Sequence, residues 1–101
     1  EMFRMQTGTA LAHFFSGNYD DALVWAEKAL ANLPTLLAAV ALAAASHALA
    51  GRPEEARRYM QRLQRLDPAL CVSNLRDWLP IHRPDDFKRF ADGLRLAGLP
   101  E

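Results

Sequence analysis

The sequence has little of what several protein classes depend on. It holds one cysteine in 101 residues, which excludes an internal disulfide framework and a cysteine-rich zinc module. Neither charge is in excess, with 12 Lys and Arg against 12 Asp and Glu, which argues against a basic nucleic-acid-binding domain and an acidic disordered tail. Gly-rich phosphate loops, a Ser/His/Asp spacing, paired catalytic carboxylates and zinc motifs are also missing. The sequence therefore favours binding without chemistry, and we expect no catalytic, cofactor or metal residues.

A long hydrophobic run is missing as well. The most apolar stretch, Leu36 to Ala50, contains Ser46 and His47 and is shorter than the roughly 20 residues of a membrane span. No basic segment followed by an apolar run marks a signal peptide. We therefore expect a cytoplasmic protein that does not contact a membrane. Because the chain begins with Glu1, we also expect it to be a segment of a longer protein.

Alanine and an internal repeat dominate what is present. Half of the residues are hydrophobic, which is enough for a core, and β-branched residues are few, which favours helices. Identical residues recur at an interval of 34 positions, among them Ala10 and Ala44, His13 and His47, Gly17 and Gly51, Ala22 and Ala56, Pro34 and Pro68. An interval shared by this many positions indicates a structural repeat.

Each repeat unit predicts two helices joined by a turn. The first helix ends at a glycine, which suits the left-handed position past a helix end. The second begins with acidic residues, which the helix dipole favours. The six predicted helices cover 3–16, 18–33, 36–50, 53–66, 68–79 and 84–97. One domain over 1–101 results, with repeat one at 3–36, repeat two at 37–70 and a degenerate capping repeat at 71–99.

The repeat resembles the tetratricopeptide repeat (TPR) in its length, its paired helices, and its Gly, Ala and Pro positions. The first unit reads Gln6-x2-Thr9-Ala10-x2-His13, Ala22-x3-Ala26 and Pro34, and the second reads Val40-x2-Ala43-Ala44-x2-His47, Ala56-x3-Met60 and Pro68. The large Trp and Tyr of the family's first helix are absent, so packing must differ there. The resemblance implies an all-α solenoid of antiparallel helix pairs, a right-handed superhelix whose first helices line a groove for a protein or peptide.

A second resemblance concerns the C-terminal third, which is similar to the ends of alphaproteobacterial adenylate/guanylate cyclases and TPR-bearing regulators. It rests on three segments: Val72-Ser73-Asn74-Leu75-Arg76-Asp77, Arg83-Pro84-Asp85-Asp86, and Gly93-Leu94-Arg95-Leu96-Ala97-Gly98-Leu99-Pro100-Glu101. It implies the C-terminal regulatory part of a larger bacterial signalling protein such as a cyclase. The alternative is a sensing or oligomerisation domain of a TPR-bearing transcription regulator. No cyclase residue aligns with this chain.

The candidate partner-binding residues lie on the first and third helices. They are Phe3, Leu11, Phe14, Phe15, Ala45 and Leu49. Such a groove is apolar and shallow and fits an apolar peptide or helix face. It lacks the Lys and Asn residues that clamp a peptide's carboxylate in this family, which argues against a chaperone-tail receptor. The partner is another protein, the preceding domain of the same chain, or a second copy that forms a homodimer through the first helix. Alternatively, these aromatics pack against a preceding repeat.

Three further features each have a functional and a structural interpretation. His13 and His47, at equivalent repeat positions, form either a metal pair or two packing residues. Cys71 is either an activated thiol at a helix start or a small buried residue. The arginines on one side of the fourth helix contact phosphates or form a solvated face, with Glu54 reaching Arg58. In each case we favour the structural interpretation and expect no nucleic-acid binding.

Overall fold

The computed structural model describes residues 2–33, 37–71 and 84–99, with side chains from residue 9 onward. The described residues form five α-helices and no strand: α1 Met2–Phe15, α2 Tyr19–Asn32, α3 Leu37–Leu49, α4 Pro53–Leu66 and α5 Pro84–Ala97. The all-α prediction is confirmed. The bounds of α4 and α5 are those predicted, and the bounds of the first three helices differ from the prediction by one residue at each end.

The helix predicted from Pro68 does not begin there. Asp67 ends α4, and its carbonyl accepts the Leu70 N–H at 3.2 Å while its carboxylate accepts the Ala69 N–H at 3.3 Å. Both bonds close a turn, so the residues up to Cys71 leave the helical path instead of starting a helix. The rest of the predicted helix, 72–79, lies outside the described residues. Six helices in three pairs therefore remain a prediction.

Helices α1 and α3, which are related by the 34-residue interval, end in the same way. Gly17 has a φ of 83°, its N–H donates to the carbonyl of Phe14 at 3.0 Å, and the next N–H, of Asn18, donates to His13 at 2.8 Å. This is the Schellman arrangement, which satisfies carbonyls that the end of a helix leaves free. The same two bonds, 3.3 and 2.8 Å long, end α3 at Gly51, whose φ is also 83°.

The second helices begin less uniformly than predicted. Asn18 precedes α2, but its side chain makes no capping hydrogen bond, and only its backbone carbonyl accepts the Ala22 N–H, at 2.9 Å. Pro53 is the first residue of α4, as its fixed φ and missing N–H favour. Acidic residues occupy the first turn of both helices.

Packing centres on α3, in which every residue from Ala39 to His47 is buried. It lies against α2, α4 and α5, and α1 pairs with α2. The repeated alanines at positions 10, 22, 44 and 56 have no exposed surface, which confirms them as packing positions. In contrast, α4 buries one side only, through Ala56, Met60 and Leu63 at helical spacing.

Candidate functional site

A shared face of α1 and α3 binds helix α5. We define this α5-binding face by Phe14 and Phe15 of α1 and by Ala45 and Leu49 of α3. Each of these residues contacts α5 or lines a cleft with it. Two of these residues, Phe15 and Leu49, have equivalent positions in the two repeats.

Phe14 is the centre of an aromatic cluster on this face and has no exposed surface. Its ring meets that of Phe90 from α5 edge-on, with 5.7 Å between centroids and 81° between planes. It also contacts Phe15 and Tyr19, each at 5.5 Å. Edge-to-face pairs of this kind add roughly 0.5–1.5 kcal/mol to the free energy of burial. Phe90 is likewise fully buried and therefore anchors α5 to α1.

Gly93 brings α5 close to the backbone of α3. A Cβ placed on Gly93 would lie 2.9 Å from the Ala45 Cβ and 3.1 Å from both the Cα and the carbonyl oxygen of Ala45. The last two atoms belong to the backbone and cannot rotate away. Glycine is therefore required in α5 at this crossing, and a small residue is required in α3.

A cation joins α5 to the end of α1. Nη1 of Arg89 donates a hydrogen bond to the backbone carbonyl of Phe15 at 2.9 Å. Phe15 is the last residue of α1, where carbonyls lack helical partners and the helix dipole is negative. Beside this contact, Leu49 forms a cleft of about 320 Å³ with Asp85, Lys88, Arg89 and Asp92.

The predicted site residues are thus largely brought together. Phe14, Phe15, Ala45 and Leu49 form the α5-binding face, and a helix of the same chain covers it. Leu11 is half-buried and packs against the core. Phe3 lies in α1, among the residues whose side chains are not described.

The residues of α5 that contact the face were not predicted as a site. Phe90 lies 34 residues after Ala56 and so departs from the alanine of the repeat. The glycine after α5, Gly98, is a signal in the sequence that α5 is related to α1 and α3, because all three helices end in the same cap. The Gly98 N–H donates to Arg95 at 3.0 Å, and the Leu99 N–H donates to Leu94 at 2.9 Å.

A second group of polar residues links the two helix pairs, and we call it the inter-pair network. Arg52 donates from Nη2 to the Asp20 carboxylate at 2.7 Å and from Nε to the His47 Nδ1 at 3.1 Å. The His47 ring stacks on Tyr59 at 5.4 Å, and the Tyr59 hydroxyl donates to Glu27 at 3.4 Å. The network therefore connects α2 of the first pair to α3 and α4 of the second.

Burial perturbs both rings of the network. It lowers the pKa of His47, since the charged imidazolium loses solvation, and the nearby Arg52 cation lowers this pKa further. Burial also raises the pKa of Tyr59, and the Glu27 carboxylate, which accepts its hydrogen bond, acts in the same direction. Both shifts favour the neutral ring. Because the Nδ1 of His47 accepts from Arg52 and its ring stacks on Tyr59, His47 has packing and hydrogen-bonding contacts at the position predicted either to pack or to bind metal.

Two candidates remain, the arginines of α4 and Cys71, and their surroundings favour a structural role. Arg58 pairs with Glu55 at 3.4 Å, not with the predicted Glu54, and both belong to a shallow cleft of about 290 Å³ on α4. Cys71 is half-buried after the turn that follows α4. Among the described residues no three His, Cys, Asp or Glu side chains are grouped to hold a metal ion. None of the five helices is long and apolar enough to cross a bilayer.

Comparisons with protein-family models, with curated proteins and with solved structures found no match to this chain.

Proposed function

We propose that the chain is a protein-interaction module of the TPR type that binds a helix on the face shared by α1 and α3. The observation that carries this proposal is the position of α5. Its Phe90 lies against Phe14 and its Gly93 against Ala45, so the face already holds an amphipathic helix. Binding an apolar helix side in a groove is a common mode of protein recognition.

The construction of the two helix pairs supports a fixed binding face. Identical caps end α1 and α3, and the inter-pair network connects α2 to the second pair. A rigid surface loses little conformational entropy when a ligand binds, which favours a binding role.

The second resemblance supports a context for this module. We place it in the C-terminal regulatory part of a larger bacterial signalling protein such as an adenylate/guanylate cyclase, where its partner is another protein or the preceding domain. The alternative is the sensing or oligomerisation domain of a TPR-bearing transcription regulator. The segment Arg83 to Asp86, on which this similarity partly rests, includes the start of α5. The sequence preceding this chain in its polypeptide distinguishes the two, because a cyclase domain carries metal-binding aspartates and a winged helix carries a basic recognition helix.

A crosslinking experiment tests the interaction module. A photoreactive amino acid replaces Leu49 on the α5-binding face, and in a control chain it replaces Val24, which is exposed on α2. We expect the Leu49 position to capture a partner. Once identified and purified, that partner should bind the unmodified chain in calorimetry, with an affinity that Leu49→Glu weakens about tenfold or more and Val24→Glu leaves unchanged. Equal effects of the two substitutions would contradict the proposal.

A further inference from the structure

We propose that α5 is a displaceable occupant of the α5-binding face, and that the partner of this module is an amphipathic helix with the same side-chain pattern. The pattern runs from Arg89 to Ala97 and reads Arg-Phe-x2-Gly-Leu-x2-Ala. This inference rests on the proposed function and specifies its partner and its regulation. The helix of the partner competes with α5, so the free module is held in a self-inhibited state.

The pattern places its four specified non-polar residues on one side of the helix. Phe90, Gly93, Leu94 and Ala97 follow the i, i+3, i+4, i+7 spacing, and all four are buried. On another side Leu96 is 67% exposed. Helix α5 therefore has the one-sided anchor spacing of a helix bound in a groove.

Each position of the pattern has a distinct physical requirement. The aromatic ring fills the space beside Phe14 and is the largest buried anchor. The glycine permits the approach to Ala45, where a Cβ would meet backbone atoms at 3.1 Å. The arginine donates to the Phe15 carbonyl at the negative end of α1. A partner helix that lacks the small residue is excluded by overlap, and one that lacks the cation loses a hydrogen bond.

The contacts among the other four helices do not run through α5, as the displacement of α5 requires. The pairing of α1 with α2, of α2 with α3 and of α3 with α4 does not involve α5, nor do the caps at Gly17 and Gly51. Gly93 lies inside α5 and costs about 1 kcal/mol of helix stability relative to alanine. The α5 helix therefore depends on the face for its own stability.

Because α5 is covalently connected to the face that it covers, a partner needs a minimum affinity before it can displace α5. A tethered ligand acts at an effective concentration on the order of millimolar, so a free helix with identical contacts competes poorly. A partner must make additional contacts, or α5 must be weakened, before the face opens. Weakening α5 should therefore increase the apparent affinity for an added helix in proportion to the open fraction.

The first test uses a fluorescent synthetic peptide of residues 84–99 and measures its binding by anisotropy to three full-length chains. We expect weak binding to wild type and binding about tenfold tighter or more to Gly93→Leu, whose own α5 no longer fits against Ala45. The control Leu96→Glu changes the exposed side of α5 and should bind as weakly as wild type. A peptide that itself carries Gly93→Leu should bind to none of the chains.

A second variant keeps the test informative if the Gly93→Leu chain does not fold. In a Cys71→Ser background, Ala45→Cys and Gly93→Cys place two thiols at a contact where the Cβ separation is 2.9 Å. A shift of less than about 1 Å reaches the 3.5–4.5 Å of a disulfide. The oxidised chain should fail to bind the wild-type peptide and the reduced chain should bind it. Equal binding by both states, or binding by neither the reduced chain nor a helical Gly93→Leu chain, would overturn the proposal.

The same locked chain separates this inference from the proposed function. A partner identified by crosslinking should bind the reduced chain and not the oxidised one. If it binds both equally, the interaction module stands and the displacement of α5 is wrong. If no partner depends on the face at all while the peptide still distinguishes the two states, the proposed function fails and the opening of α5 stands.

Discussion

Nε of Arg52 donates a hydrogen bond to Nδ1 of His47 across the glycine cap that ends α3, with 3.1 Å between the nitrogen atoms. The backbone makes the same connection, because the Arg52 N–H donates to the His47 carbonyl at 2.8 Å. The side chains thus reinforce the Schellman arrangement at the place where many helices have an apolar contact. Nδ1 accepts this bond only when it carries no proton.

This bond makes stability depend on pH. The folded pKa of His47 lies below its usual value of 6.5, so the ring is neutral in both states well above pH 6.5 and its full contribution to stability is present there. As the pH falls below 6.5 the unfolded chain binds a proton that the folded chain does not. The free energy of unfolding should then decrease by up to about 1.4 kcal/mol per pH unit, until the pH reaches the lowered folded pKa. The nearby Glu55, Glu27 and Asp20 carboxylates oppose the shift.

Urea unfolding at pH 7.5, 6.5 and 5.5 measures this dependence. His47→Gln is the matched control, because glutamine can still accept from Arg52 but does not titrate. The difference between wild type and His47→Gln should grow as the pH falls. A difference that stays constant from pH 7.5 to 5.5 would show that His47 is not the group responsible.

Gly51 is required for its backbone conformation and not for space. Its φ is 83°, and a Cβ built there would have no atom within 4 Å. Gly51→Ala should therefore lower the free energy of unfolding by about 1–2 kcal/mol, the cost of a left-handed conformation for an L-residue. Gly51→Asn should cost less, because asparagine tolerates this region. Denaturant titration of the two variants checks the order, and an alanine variant as stable as wild type would contradict it.

Local signals explain what the sequence predicted well. Pro53 and Pro84 fix the first residues of α4 and α5, and the glycines after α1, α3 and α5 fix where those helices end. These signals act within one helical turn, so a single sequence is enough to identify them. The 34-residue interval added the equivalence of the first two units, and the repeated caps at Gly17 and Gly51 match it.

The position of α5 depends on contacts that no local pattern contains. The hydrogen bond from Arg89 to Phe15 spans 74 residues, and the Phe14–Phe90 pair spans a similar distance along the chain. A periodicity identifies which side of α5 is apolar but not which surface covers it. Phe90 departs from the alanine of the repeat, and its contact with Phe14 makes it an anchor. The inter-pair network was not predicted, because Arg52 and Asp20 are 32 residues apart and no local pattern pairs them.

Ala56 tests the packing of the second helix pair. It is fully buried in α4, at the position equivalent to Ala22. Ala56→Leu adds volume to a filled contact with α3 and should lower the free energy of unfolding by about 1–3 kcal/mol. The neighbouring Arg57 is exposed, so Arg57→Leu should change stability by less than about 0.5 kcal/mol. Thermal unfolding of both chains measures the two changes. An Ala56→Leu chain as stable as wild type would disprove the assigned packing role.

A substitution of Ser46 should increase the stability of the chain, in contrast to Ala56→Leu. Its hydroxyl is buried in α3 and has no hydrogen-bond partner among the described residues. Because an unsatisfied buried hydroxyl is costly, Ser46→Ala should raise the free energy of unfolding by about 1 kcal/mol. Ser16 is the control, since its exposed hydroxyl donates to the Ala12 carbonyl at 2.9 Å, and Ser16→Ala should be nearly neutral. Chemical denaturation that finds Ser46→Ala less stable than wild type would mean that the hydroxyl is bonded in solution.

The homodimer predicted through the first helix should depend on α5. With α5 bound, Phe14 is fully buried and Phe15 is half-buried, so this end of α1 offers little apolar surface to a second copy. We therefore expect wild type to sediment as a monomer at high micromolar concentration. Gly93→Leu uncovers the aromatic cluster and should associate, because monomers rarely keep such patches exposed. Adding Phe15→Glu to Gly93→Leu should restore the monomer. A wild-type dimer that Phe15→Glu leaves intact would show that the copies associate through a different surface.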